Sequence, residues 1–213
     1  MLAPSLKAHP WVHHAQGPTP QVFTQILDDT INLAVWQRRL PVHIADFGAL
    51  LLSLNTPLAE SLVVELLTDE AEPDLRRLAS GFTDLEGYEG FIADIGWLIR
   101  AFSCLLGARR IGVRVRMLEK AMCPRFHVDH VPVRLITTYA GIGSQWLKEG
   151  AMDRRRLADE ACEPRDFEQL QCGDVALFKG EKWLGNEGYG LIHRSPQLAP
   201  GERRLIVTLD WLA

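Results

Sequence analysis

Near residue 110 the hydrophobic pattern changes period, and this limits the folds open to the chain. Val113, Val115 and Met117 alternate with Arg114, Arg116 and Leu118, the period of two expected of a half-buried strand. From there onward, short apolar runs are separated by turn chemistry at Gly141-Ile-Gly143, Gly173-Asp174, Gly185-Asn-Glu-Gly188 and Pro200-Gly201. Before it, apolar residues recur at helical spacing. Thr19-Pro20 is a cap followed by proline at the first helical position, and Val22, Ile26, Ile31, Leu33 and Trp36 follow up to Pro41. Residues 50–54 and 58–67 predict two helices separated by Pro57, and residues 74–79 a short one. Residues 91–106 are apolar on several sides and predict a buried helix. The expected architecture is α+β, a helical N-terminal half packed on a C-terminal β core. Residues 1–18, with three prolines and no hydrophobic period, read as an extended arm. Residues 19–107 read as a helical buttress and 108–213 as the core, the two forming one cooperative unit.

Bulk properties exclude several classes. A chain of 213 residues with 47% hydrophobic and 23% charged content is that of a soluble globular protein. A formal charge of −4 gives no case for nucleic acid, which requires a concentrated basic face. Arg154-Arg155-Arg156 sits among Asp153, Asp159 and Glu160 and reads as a solvated helix face. Residues 1–16 hold no apolar stretch suited to a secretory signal, and residues 47–67 are too interrupted to span a bilayer. The cysteines at 104, 123, 162 and 172 form no Cys-x-x-Cys pair, so a cytoplasmic protein with reduced thiols is expected. His9, His13 and His14 belong to the arm; exposure there is a better reading than an accessory metal site.

His127-Val128-Asp129 carries the chemistry. Two residues apart on an extended segment, the imidazole and carboxylate point to one face. His193 lies in a later apolar stretch with Tyr189, Leu191 and Ile192, where an unpaired imidazole would be costly to bury. Two imidazoles and one carboxylate on one face of a metal, with the other positions open, is the coordination of non-heme Fe(II) oxygenases. Ligand identity alone also admits Zn(II) or Ni(II). His130 has the opposite parity to Asp129. Cys123 reads as a buried thiol. Arg125 and Arg134 are candidate substrate contacts, whereas Arg194 should point away from the metal.

The order of segments is informative: residues 123–139 carrying the ligand pair and a strand, Gly173-Asp174 feeding a short apolar strand, His193, then the strand from Arg204 to Trp211. It resembles the 2-oxoglutarate/Fe(II)-dependent dioxygenase superfamily, built on a double-stranded β-helix (a jelly-roll, cupin-like core). The resemblance covers residues 110–213. Over its whole length the chain is also similar to a bacterial family called domain of unknown function 1826. The superfamily resemblance implies Fe(II) held by His127, Asp129 and His193, with 2-oxoglutarate as co-substrate. It implies hydroxylation of a small molecule or a protein side chain. The keto acid's anchor is expected at Arg204, with Arg203 as the alternative. If Arg204 points inward, so does Thr208, and Arg203 faces solvent. Tyr139 would assist the co-substrate, with Thr137 on its face; an ordinary core aromatic is an equal reading. The charged segment 145–171 is a candidate lid. The competing reading is a non-catalytic, cupin-like metal-binding module for sensing or interaction, or a cupin-like enzyme without a keto acid. Only the oxygenase requires an arginine facing the metal.

Overall fold

A computed structural model describes residues 12–54, 56–68, 71–159, 164 and 166–212. The first part of the chain runs β1 (His13–Gly17), a 3-10 helix (Pro20–Leu27), β2 (Ile31–Trp36), α1 (Val42–Ser53), β3 (Ala59–Glu65) and α2 (Tyr88–Leu106). It continues as β4 (Arg110–Leu118), β5 (Val133–Ala140), β6 (Gln145–Trp146), β7 (Glu168–Gln169), β8 (Val175–Lys179), β9 (His193–Arg194) and β10 (Arg204–Trp211). The strands form a seven-stranded sheet in the order β1-β2-β8-β5-β10-β4-β3 and a three-stranded sheet in the order β7-β6-β9. Pairing is antiparallel apart from β1 with β2.

The register sorts the large sheet into two faces. Leu135, Leu177, Val207, Val113 and Val64 pack with α1 and α2 residues such as Phe47, Phe91, Ile95 and Phe102 in the main core. The opposite face offers Leu33, Val35, Ala176, Phe178 and Ile136, covered by Trp146 of the small sheet and by Leu191 just before β9. Further along the same face come Arg204, Ile206, Thr208 and Asp210 on β10, aligned with Leu118, Arg116, Arg114 and Gly112 on β4. The functional site is built on this second face.

The expected helix over residues 91–106 and the β-rich C-terminal half are present. The helical N-terminal half needs correction, because β1, β2 and β3 all enter the large sheet. Ile31–Trp36 is apolar on both faces, and such a run fits a buried strand as well as a helix. It lies between β1 and β8, where strands are buried from both sides. Residues 58–67 offer Leu58, Leu62 and Leu66 at helical spacing, yet the Val63-Val64 pair and a seven-residue antiparallel register with β4 make Ala59–Glu65 an edge strand. Residues 76–79 form a turn instead of a helix, ending where Ala79 turns to φ 51°. His13 and His14 are exposed on β1, while His9 lies outside the described residues. Among the described residues Cys104, Cys123 and Cys172 are free thiols, and no helix is long and apolar enough to cross a membrane.

Candidate metal centre and its buried arginine

His127 and His193 form a small antiparallel bridge. The His127 amide donates to the His193 carbonyl at 3.0 Å, and the His193 amide to the His127 carbonyl at 2.9 Å. Cross-strand partners place their side chains on the same side, so the ring centroids stand 4.6 Å apart. Asp129 closes the group, its carboxylate 3.8 Å from His127 Nε2 and 3.4 Å from His193 Nε2. One ligand atom from each residue can be chosen so that all lie within 4.8 Å of one another. Ligands at right angles on an ion with bonds of about 2.1 Å stand about 3 Å apart, so the group must draw together by about 1–2 Å to close on one ion.

The tautomers suit coordination. His127 Nδ1 is 2.9 Å from the Arg125 carbonyl and His193 Nδ1 is 3.0 Å from the Leu191 carbonyl. A carbonyl only accepts, so each Nδ1 carries the proton and each Nε2 lone pair faces Asp129. Burial holds the His193 imidazole down at about 4, with His127 and Arg134 pushing the same way against Asp129. It is therefore neutral and able to bind metal at physiological pH.

The Asp129 backbone is clamped by the turn after β8. Gly180 N donates to Pro132 O and Glu181 N to Asp129 O, both at 2.9 Å. A Cβ on Gly180 would sit 2.2 Å from Val131 O and 2.7 Å from Asp129 O, so only glycine allows this approach. The Asp129 carboxylate receives Arg134 Nη1 at 2.7 Å. Arg134 also donates through Nε to buried Asp210 at 2.7 Å, and Arg114 reaches Asp210 at 2.8 Å. A chain of alternating charge, Arg114–Asp210–Arg134–Asp129, thus ends at the candidate metal ligand. Arg134, expected to contact substrate, is a positioning residue for that ligand.

Arg204 is fully buried on the same face. Its Nη2 donates to Ser144 Oγ at 3.0 Å and Thr138 Oγ1 at 3.4 Å, while Nε and Nη1 have no partner among the described residues. With no carboxylate beside it, burial pulls this guanidinium down to about 10. Gly141 fits against its backbone, where a Cβ would meet Arg203 O at 2.3 Å. Arg203 turns the other way, donating to Leu52 O at 3.1 Å and pairing with Glu119 at 2.9 Å. Thr208 and Ile206 join His127, His193, Arg134 and Ser144 in lining one narrow cavity.

Other expectations are redistributed. Tyr139 is corrected: it lies on the helix side, packed on Phe91, and its hydroxyl donates to Asp94 at 2.5 Å. Parity explains this, because Arg134 and Ile136 face the cavity and odd-numbered neighbours do not. Thr138 and Ser144 were missed for the same reason. Cys123 is exposed at the cavity rim instead of buried. Arg194 also reaches this rim, with its guanidinium over Phe126 at 4.2 Å and Nε donating to Gln145 at 2.7 Å. Arg125 is exposed and donates to Ala158 O at 3.0 Å, so it contributes to the site through its carbonyl. His130 is exposed. Arg155 and Arg156 make exposed local pairs on a short 3-10 turn, not a helix face. Arg154 instead ties segment 145–171 inward through Glu149 and the Gly190 carbonyl.

The chain belongs to the family of proteins of unknown function DUF1826, whose model matches residues 17–210. No curated protein sequence matches it. Among solved structures it is similar to a candidate oxygenase from Shewanella oneidensis, at 10% identity and a TM-score of 0.51, covering 95% of this chain and 90% of that one. A Pseudomonas putida prolyl-4-hydroxylase is similar at 11% identity and a TM-score of 0.47, over 90% of this chain and 96% of the other. The auxin-oxidation dioxygenase of Arabidopsis thaliana, solved with 2-oxoglutarate, is similar at 10% identity and a TM-score of 0.43, over 95% and 92%. At such identities the likeness is one of fold.

Proposed function

We propose that this protein is an Fe(II)/2-oxoglutarate-dependent oxygenase that hydroxylates a small molecule or a protein side chain. One observation carries the reading: the fully buried Arg204, with two unpartnered nitrogens and no counter-ion, beside a His-Asp-His cluster. An uncompensated buried charge costs several kcal/mol. A metal-binding module or a keto-acid-independent cupin has no use for that cost, whereas a dicarboxylate co-substrate offsets it with a bidentate charge-assisted contact. The donor set fits as well, since imidazole and carboxylate suit Fe(II) and three protein ligands leave positions open. We read residues 108–213 as a double-stranded β-helix carrying the site and residues 19–107 as its support, in a cytoplasmic protein.

In this reading His127, Asp129 and His193 hold the metal, and Arg204 binds the keto acid's distal carboxylate. Fe(II) and 2-oxoglutarate supply the oxidising chemistry with O2, giving succinate, CO2 and the hydroxylated product. The carbonyls of Arg125 and Leu191 fix the imidazole tautomers. Arg134 orients Asp129, leaving its other oxygen for coordination. Phe178, Trp146 and Leu191 exclude water from one side.

Anaerobic reconstitution with Fe(II) and 2-oxoglutarate tests this. A weak visible charge-transfer band and uncoupled succinate formation in air are expected. His127→Ala, Asp129→Ala and His193→Ala should each lose the single equivalent of bound metal. Metal content surviving all three would remove the triad; full metal binding without 2-oxoglutarate binding would favour the metal-binding module.

A further inference from the structure

On the cavity side of the large sheet the small sheet covers β2, β8 and β5, but the outer strands lie open. Ala59, Ser61, Val63 and Glu65 of β3 are exposed, as are Arg110 and Arg114 of β4. Arg114 stands opposite Thr208 and Arg116 opposite Ile206, both of which line the metal cavity. The two arginines are therefore one strand spacing, about 4.8 Å, from the cavity wall.

Positive charge is in excess on this shelf. Arg114 shares the carboxylate of Asp210 with Arg134, which also pairs with Asp129, and keeps a side chain 47% exposed, so the unmatched charge rests on Arg116. Arg116 donates only to neutral oxygens, the carbonyls of Glu60 and Val115 and the hydroxyl of Ser61 at 2.7 Å. The Glu60 side chain lies on the other face of the sheet, in register with core-facing Val115, and accepts from Ala79 N at 2.6 Å. At the far end Arg110 is matched by Glu65 at 3.6 Å. Loading the site does not remove the excess, since a divalent ion and a dianionic keto acid cancel each other. A planar guanidinium matches the oxygens of a phosphate or carboxylate, and Arg114 and Arg116 flank the open face of β4 from two sides, Arg114 reaching Asp210 on β10 and Arg116 reaching Ser61 on β3.

We propose that the oxidised substrate carries an anionic group, a phosphate or a carboxylate, that docks on Arg114 and Arg116 and presents the rest of the molecule to the cavity. The term substrate rests on the oxygenase reading; the anion site does not. The local excess coexists with a net charge of −4 because it is confined to one end of one sheet face.

Ligand-observed NMR titrations of the full-length, metal-free protein at low salt test the shelf separately from the metal. The probes are phenyl phosphate, benzoate and uncharged phenol. At least one anion should bind about tenfold or more tightly than phenol, and the preferred one identifies the anionic group. Arg114→Gln and Arg116→Gln should each weaken it about fivefold or more, as expected for loss of a charged hydrogen-bond donor. Arg116→Lys, which keeps the charge but loses the planar fork, should weaken binding less than Arg116→Gln, and Arg116→Gln should keep a parental melting profile. Arg204→Met should leave the titration unchanged. Equal binding of phenol, or two silent Gln variants, overturns the proposal. Loss of binding in Arg204→Met also overturns it, by placing the anion in the co-substrate position. Anion binding on the shelf of a protein that takes up neither Fe(II) nor 2-oxoglutarate would leave the site standing and remove the oxygenase.

Discussion

Behind β5, on the helix side, Arg38 grips Asp94 with two hydrogen bonds of 2.6 and 2.8 Å, and Tyr139 donates to the same carboxylate. In front of it, on the cavity side, Arg204 is buried more deeply than Arg38 and meets only two hydroxyls. The sheet thus carries a buried arginine on each face, one neutralised within the protein and one not. The matched arginine ties β2, α2 and β5 together, which is a structural role. The unmatched one is a standing cost that folding alone does not explain, and such a cost is a sign of a ligand. Burial by itself does not separate function from architecture here; the state of the partner does.

The comparison can be broken by removing both charges. Arg38→Met leaves Asp94 buried without its cation and should destabilise the protein by about 3–5 kcal/mol in urea unfolding. Arg204→Met removes a charge that has no counter-ion, and should raise the stability of the ligand-free protein by about 1–3 kcal/mol. In the metal-loaded protein the same change should weaken 2-oxoglutarate by about 10–100-fold in calorimetry, as loss of a charge-assisted contact requires. Two substitutions of one kind, with opposite signs on stability, would sharpen the contrast. If Arg204→Met were as destabilising as Arg38→Met, the asymmetry would be an error.

A second effect lies in how the ligand-bearing loop is held. Gly180→Ala pushes a methyl against the carbonyls of Val131 and Asp129. The loop must shift, and with it the Asp129 carboxylate, so metal affinity should fall by about 10–100-fold, the usual cost of disturbing a ligand's supporting contacts. Competition with a chromogenic chelator measures this. An unchanged affinity would mean that Arg134 alone orients Asp129.

The candidate metal site is legible in sequence because its signals are local: a two-residue spacing sets a common face, and an apolar setting makes a lone histidine conspicuous. The resemblance leaves the anchor at Arg204 with Arg203 as the alternative, and it is the burial of Arg204 and the outward turn of Arg203 that separate them. Tyr139 went astray because β5 is buried on both faces, so hydrophobic alternation could not say which parity faced the metal. Strands β2 and β3 were misread for a related reason. Their apolar residues satisfy a helical spacing, and pairing with β8 and β4, far away in the chain, decides the matter. The chain Arg114–Asp210–Arg134–Asp129 had no linear signature, since three strands and a loop must meet to form it.

Acid should distinguish the metal-free site from the matched pair behind it. His193 is held at about 4 when folded and has its ordinary 6.5 when unfolded. Between these values the unfolded chain takes up a proton that the folded protein refuses, so metal-free stability falls as pH drops from 6.5 toward 4. Melting curves in the presence of a chelator should show this slope, and His193→Leu should flatten it. An identical slope in that variant would assign the acid sensitivity to other groups.

The smallest effect belongs to Arg203, which shares a strand end with Arg204 but faces the opposite way. Its pair with Glu119 is largely on the protein surface, the glutamate side chain being 65% exposed. Exposed pairs of this kind contribute about 0.2–1 kcal/mol, so Arg203→Ala should lower stability by no more than about 1 kcal/mol. Its hydrogen bond to the Leu52 carbonyl at the end of α1 is replaceable by water. Because the side chain never reaches the cavity, 2-oxoglutarate binding should stay within about twofold of the parent, a change of roughly 0.4 kcal/mol. Adjacent arginines that differ this much in calorimetry would establish that the facing of β10, and not the presence of a basic pair after the turn, makes the anchor. A co-substrate loss in Arg203→Ala matching that of Arg204→Met would instead require β10 to slide by one residue, which would also turn Thr208 away from the cavity.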